Sequence, residues 1–321
     1  MQRSVGFILI AVGIIILIYM ANPMRLFTGG SLIFNAQEIN QEETMEAGNI
    51  RNLRIESSSA EIEVLQGGSD KIQARLNGKA STALAEQLKL KLEPQDDTLR
   101  IGIELPESAG LGLQKQNLEL HVELPEKLMK SLVVETSSGD VRLNQVSADN
   151  IQLKATSGNL TLNQVNGEKI SAQASSGDVE ASGVQAASVD FHTASGNIEV
   201  SGYTANELKV QASSGEIKMR DGQAMVTGIT ESGGIRLEAD ELTRSIDLKA
   251  SSGDVILAVS QEPKSLKLDY RSSSGEGKVK WDGFVYSIKQ EEGRRIEGAF
   301  GTGDVKLNIR TSSGNFRLEK R

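Results

Sequence analysis

The sequence predicts an all-β chain whose main body is a parallel β-solenoid of ~19-residue repeats, and three observations predict it. A Ser-Gly pair followed by a small polar or acidic residue recurs at Ser138-Gly139-Asp140, Ser157-Gly158-Asn159, Ser176-Gly177-Asp178, Ser195-Gly196-Asn197 and Ser214-Gly215-Glu216, each 19 residues after the last. Between these marks apolar residues alternate with polar ones, as in Val141 and Leu143 and then Ile151, Leu153 and Ala155, the period of strands with one buried face. The composition agrees: 32 Gly, five Pro and 4% aromatic residues suit short stacked strands joined by tight turns.

The chain opens on an apolar run. Arg3 and Arg25 bracket 21 uncharged residues, which as a helix at ~1.5 Å per residue span roughly 30 Å, the thickness of a bilayer core. Residues 1–24 are therefore expected to be a transmembrane anchor. The run exceeds the ~7–15 residues usual for the apolar core of a cleaved signal, and Tyr19-Met20-Ala21 lacks the first small residue of a cleavage site. Arg3 favours a cytoplasmic N-terminus, which places the bulk of the chain outside the cytoplasm. Residues 25–49 read as an interfacial segment followed by a polar tether, because Gln37, Glu38, Gln41, Glu42, Glu43 and Glu46 show little hydrophobic periodicity.

Residues 50–134 contain strand-like segments in irregular spacing, among them 53–56, 61–64, 71–74, 99–103 and 118–124, and are expected to form an N-terminal β cap. Residues 135–321 carry the repeat, which continues less regularly at Ser232-Gly233-Gly234, Ser252-Gly253-Asp254, Ser274-Gly275-Glu276 and Ser313-Gly314-Asn315. A lone unit of this size cannot bury its apolar face, so the units are expected to stack as coils. Paired strands with glycine turns also fit a β-sandwich or meander, the alternative fold. Near the C-terminal end Trp281, Phe284, Tyr286 and Phe300 hold four of the twelve aromatic residues and predict a bulky plug over the last coils.

Glycine is expected in the repeat because it takes positive φ freely, with Ser, Asp or Asn bonding nearby backbone groups. In a stack the flanking residues Asp140, Asn159, Asp178, Asn197, Glu216, Asp254 and Glu276 would form an oxygen-rich stripe. Its acidic members, Asp140, Asp178, Glu216, Asp254 and Glu276, are the one candidate cation or polymer site. The stripe lacks the shorter, denser Gly and Asp pattern of calcium-binding β-rolls, so the turn role is preferred and no metal is assigned.

Little else in the sequence carries chemistry. Cysteine is absent, which excludes disulfides and thiolate chemistry. His121 and His192 belong to no ligand spacing, and no serine sits in a Gly-x-Ser-x-Gly elbow. The Gly301-Thr302-Gly303 segment runs into a strand, where it cannot cradle phosphate as a helix N-terminus does. A net charge of −8 disfavours nucleic acid as a partner. No catalytic residue and no cofactor is assigned, and an enzyme is not expected.

The strand of residues 118–124 ending at Pro125, the Ser-Ser-Gly-Asp runs and the closing segment 301–318 resemble the bacterial adhesin-like β-strand repeat family, a domain of unknown function. The resemblance covers roughly residues 50 to 319, and the anchor-then-domain order resembles its LiaG-type members from Gram-positive envelope-stress operons. It implies a membrane-anchored, adhesin-like binding or scaffold protein of the cell envelope, partnered by an envelope protein or a wall polymer. A polysaccharide-acting β-helix enzyme and a secreted surface adhesin are the alternatives.

Overall fold

The short strand Val141–Asn144, the long strand Ala148–Ala155 and the short strand Leu160–Asn163 set the pattern of the molecule. Each short strand pairs in parallel with the short strand 19 residues on, Leu160 opposite Val179 and Val179 opposite Ile198, and each long strand does the same, Ile151 opposite Ile170 and Ile170 opposite Val189. The computed structural model describes residues 36–104, 117–125, 129–290 and 293–321. The expected anchor, residues 1–24, lies outside them. Among the described residues no helix is long and apolar enough to cross a membrane.

Two long, mostly parallel sheets result, one of 13 strands and one of 14. A coil consists of one long strand, a Ser-Gly corner and one short strand, and eleven coils stack among the described residues. At about 4.8 Å per coil the stack is on the order of 50 Å long. The core lies between the sheets, and neighbouring coils fill it by complementary size. Along one inward column Ala172 lies beside Phe191 and Gly228 beside Leu248. Along another, Val146, Val165, Val184 and Tyr203 follow at 19-residue steps, and the next position is Gly222, where a Cβ would fall 2.3 Å from the Tyr203 ring. Burial also pushes the Tyr203 phenol pKa upward, so it stays neutral.

Both ends of the stack depart from sequence order. At one end the coil of residues 52–66 sits between the coil of 98–124 and the coil of 129–144. At the other, the coil of residues 305–320 sits between the coil of 246–259 and the coil of 266–279. Antiparallel strands then close the ends: Lys71–Ser81 on Asn117–Leu124, Lys89–Gln95 on Thr98–Glu104, and Arg295–Phe300 on Leu266–Ser272. Strands within the region 50–134, expected as an N-terminal β cap or subdomain, form coils of the same stack.

Of the interfacial segment and polar tether expected over residues 25–49, the tether is corrected. Ala36–Glu46 is an edge strand beside Lys71–Ser81. Three of its four acidic residues recur every fourth position and meet cations at the same spacing, Glu38 with Lys79 at 3.6 Å, Glu42 with Arg75 at 3.4 Å and Glu46 with Lys71 at 3.1 Å. Ile39 is buried, and the Gln41 amide donates to Leu88 O and accepts from Leu90 N, both at 2.8 Å. Cross-strand charge and one bridging amide hold a segment that has almost no apolar alternation.

Candidate functional site

The Ser-Gly corners form a continuous ridge. A Cβ on Gly158 would stand 1.9 Å from Gly139 O, and one on Gly177 would stand 2.0 Å from Gly158 O, with similar spacings through Gly196, Gly215, Gly233, Gly253, Gly314 and Gly275. None of these glycines has positive φ, so the expected reason for them is corrected: glycine is required because neighbouring coils touch at their backbones. Beneath the ridge, hydroxyls finish the turn. Thr193 Oγ1 donates to Gly177 O at 2.8 Å, Thr311 Oγ1 to Gly314 O at 2.7 Å, and Gly139 N donates to Thr136 Oγ1 at 3.0 Å.

The acidic stripe is brought together at the ridge, and each of its members has a structural task. Asn159 N donates to Asp140 Oδ1 at 2.9 Å, Asp178 N to Asn159 Oδ1 at 2.9 Å, Asn197 N to Asp178 Oδ1 at 2.7 Å and Glu216 N to Asn197 Oδ1 at 2.9 Å. The run breaks at Gly234 and resumes with Asn315 N on Asp254 Oδ1 at 2.8 Å and Glu276 N on Asn315 Oδ1 at 3.0 Å. Asp and Asn have the reach to accept from the next coil. The two glutamates stand where a run ends, and they pair along their own strands instead, Glu216 with Lys218 at 2.9 Å and Glu276 with Lys278 at 3.1 Å. Among the described residues no three His, Asp or Glu side chains converge on one point. What the ridge turns outward is a row of exposed serines, Ser138, Ser157, Ser176, Ser195, Ser214, Ser232, Ser252, Ser313 and Ser274.

The opposite corner carries a second column that sequence reasoning missed. Gln145, Gln164, Gly183, Gly202 and Asp221 follow at 19-residue intervals and all have φ between 51° and 68°. Two glycines in register were the available signal, but glutamine and aspartate occupy the other three positions. The side chains compensate: Gln145 Nε2 donates to Gln164 Oε1 at 2.9 Å, and Asn163 Nδ2 donates to Asn144 Oδ1 at 3.0 Å. Asp221 pairs with Arg321, whose hydrogen bond holds the carboxyl below its ordinary range.

The outer faces of the sheets are polar. His121 stands on one of them between Glu63, 2.9 Å from Nδ1, and Glu119, 3.5 Å from Nε2. His192 projects outward behind the buried Phe191. On the long-strand sheet Asp269 is half-buried, which alone would raise its pKa, but hydrogen bonds from Arg310 and Arg271 outweigh burial and lower it. The Gly301-Thr302-Gly303 segment is a turn locked by Asp304, which accepts from Thr302 Oγ1 at 2.7 Å and Ser265 Oγ at 2.9 Å; these bonds depress its pKa. Of the aromatic plug, Phe284 and Phe300 pack with centroids 5.1 Å apart, while Tyr286 stays exposed on the edge strand Val285–Lys289.

The profile of the toastrack DUF4097 family matches residues 50–240 and 226–319. The chain belongs to that family. The toastrack fold is also found in a crystal structure from Bacteroides fragilis described as a candidate adhesin, 16% identical over 88% of this chain and 97% of that one, TM-score 0.50. A second, from Parabacteroides distasonis and described as a candidate lipid-binding protein, is 17% identical over 87% of this chain and 96% of that one, TM-score 0.51. At these identities the likeness is one of fold. No curated protein matches the chain.

Proposed function

We propose that the chain is a membrane-anchored binding or scaffold protein of the bacterial cell envelope. In this reading the apolar run of residues 1–24 holds the toastrack domain outside the cytoplasm, and the domain presents a rigid polar surface to an envelope protein or a wall polymer. The observation that carries the reading is the ridge. Its inward groups are committed to joining coils, and its exposed serines recur once per coil, with carboxylates on alternate rungs of the regular part. Such a row suits an extended partner better than a small molecule, for which ligand sites are typically enclosed and apolar.

Two further points support it. The order of an apolar N-terminal run followed by a toastrack domain resembles the LiaG-type arrangement. Two crystal structures of the same fold are described as a candidate adhesin and a candidate lipid-binding protein, both descriptions of binding. Binding is placed before catalysis because the ridge carboxylates and the turn hydroxyls are already engaged in the fold.

Crosslinking in cells followed by recovery of the full chain, with a form lacking residues 1–30 as control, tests the reading. Enrichment of one envelope protein, or retention on purified wall, supports it. Recovery of the protein in the medium instead of the membrane fraction overturns the anchored form and leaves the secreted adhesin. Turnover of a polysaccharide would replace binding with catalysis.

A further inference from the structure

Among the described residues, no strand within 266–300 pairs with the coil of 246–259, although the segment follows that coil in the chain. The connecting segment touches the stack, through Ser260 N on Ala239 O at 3.1 Å and Lys264 on Glu241 at 3.2 Å, but both contacts precede the first strand of the cap. The described strands beyond it join the stack through residues 305–320. Leu266–Ser272 pairs along its whole length with Val305–Thr311, and Gly277–Val279 pairs with Phe316–Leu318. Arg295–Phe300 and Val285–Lys289 hang in turn on Leu266–Ser272.

The two seams of the last coil are unequal. Toward the cap, Tyr270 stacks on Phe316 with centroids 5.2 Å apart, the Tyr270 hydroxyl lies 3.3 Å from Thr311 Oγ1, and Arg310 Nη2 donates to Asp269 at 2.9 Å while Nη1 reaches Asp269 O at 2.8 Å. Toward the stack the side-chain contacts lie at the surface: Asp254 accepts from Asn315 and stands 3.9 Å from Arg317, Lys306 N donates to Ser245 Oγ at 3.3 Å, and Arg321, just past the coil, pairs with Asp221 and stands 3.6 Å from Glu238. Ion pairs on both seams are partly exposed, so what distinguishes the cap side is the buried stack of Tyr270 on Phe316 with the Tyr270 hydroxyl against Thr311. A three-residue strand such as Gly277–Val279 has no stability of its own once Phe316–Lys320 leaves.

We infer that the last coil is a latch: residues 266–300 and 305–320 open and close as one cooperative unit, and the unit separates at the seam between Asp254 and Asn315. Proteins open locally in such units, with free energies below that of global unfolding. Opening exposes two parallel strand edges, Ile246–Ala250 and Val255–Val259, that the closed form covers.

A disulfide across that seam tests the latch. Ser252 and Ser313 occupy neighbouring rungs about 4.8 Å apart, within disulfide reach, and the natural chain has no cysteine to compete. In the full chain bearing Ser252→Cys and Ser313→Cys, hydrogen exchange of amides in 266–272 and 295–300 is expected to slow roughly tenfold or more on oxidation, although neither cysteine lies in those segments. A control pair in mid-stack, Ser214→Cys with Ser232→Cys, leaves those amides unchanged. Cap amides that exchange equally fast with the seam closed, or that slow equally with the control, overturn the proposal. The unmodified chain gives a second reading: in rising urea the amides of 266–272, 295–300 and 305–311 merge into one opening isotherm, and separate isotherms reject the latch.

Discussion

Asp254 and Asn315 lie 61 residues apart in the chain and one coil apart in space, the Asp254 carboxylate accepting the Asn315 backbone N–H at 2.8 Å. The same bond, on the same atoms, joins Asp178 to Asn197 across 19 residues. The contact is therefore a property of the rung and not of sequence distance.

Removing one rung is expected to have a modest, specific cost. Asp178→Ala strands the Asn197 N–H and should destabilise the domain by about 1 kcal/mol, whereas Asp178→Asn keeps the acceptor and should change little. Urea unfolding of the two variants separates these outcomes, and equal losses would remove the ladder from the account.

The two glycine columns should respond differently to alanine. At Gly177 a Cβ would meet Gly158 O at 2.0 Å, in a backbone fixed by its neighbours, and Gly177→Ala should destabilise by about 4 kcal/mol or more. At Gly202 the space is open and only the φ of 58° resists, so Gly202→Ala should destabilise by about 1–2 kcal/mol. Thermal unfolding of both in parallel checks the ranking.

Acid should loosen the C-terminal coils through Asp269. Its carboxyl pKa is lower in the folded chain than when unfolded, so its contribution is fully present above the unfolded value of about 4 and is lost as pH falls through the folded value. Asp269→Asn should be less stable than the natural chain at pH 7 and should lose less of its stability on going to pH 3. Melting curves across that range, showing parallel declines, would contradict the assignment.

The edge strand Ala36–Glu46 should depend on one amide. Gln41→Ala removes both bonds to the 88–90 backbone and is expected to release the strand, read as faster exchange of amides in 37–45 while those in 151–212 are unaffected. Glu42→Lys, at an exposed pair, should change global stability by less than about 1 kcal/mol.

The stack itself was legible because a 19-residue period with apolar alternation leaves few other ways to bury Val141, Leu143, Ile151 and Leu153. The order of the end coils was not legible. Val305–Thr311 alternates like any other long strand, and nothing in its alternation says whether it follows Leu266–Ser272 in space or precedes it. The strand at Ala36–Glu46 was hidden because its register is written in charge at every fourth residue, a pattern read more readily as solvation. Asp140, Asp178 and Asp254 were readable as turn residues, but their bonds to the following coil needed coordinates, since sequence shows the acceptor and not the N–H it faces.

The regular part of the ridge alternates Asp140, Asn159, Asp178 and Asn197. A neutral amide accepts the same bond as a carboxylate, so the alternation leaves the hydrogen bonding intact while setting like charges about 10 Å apart instead of about 5 Å. That distance is near the screening length at physiological ionic strength, ~8 Å, so adding coils in twos adds little repulsion. A gene duplication of 38 residues would extend the rod in phase, whereas one of 19 would bring two carboxylates, or two amides, onto adjacent rungs. Toastrack chains of this type should therefore lengthen more readily by pairs of coils than by single ones.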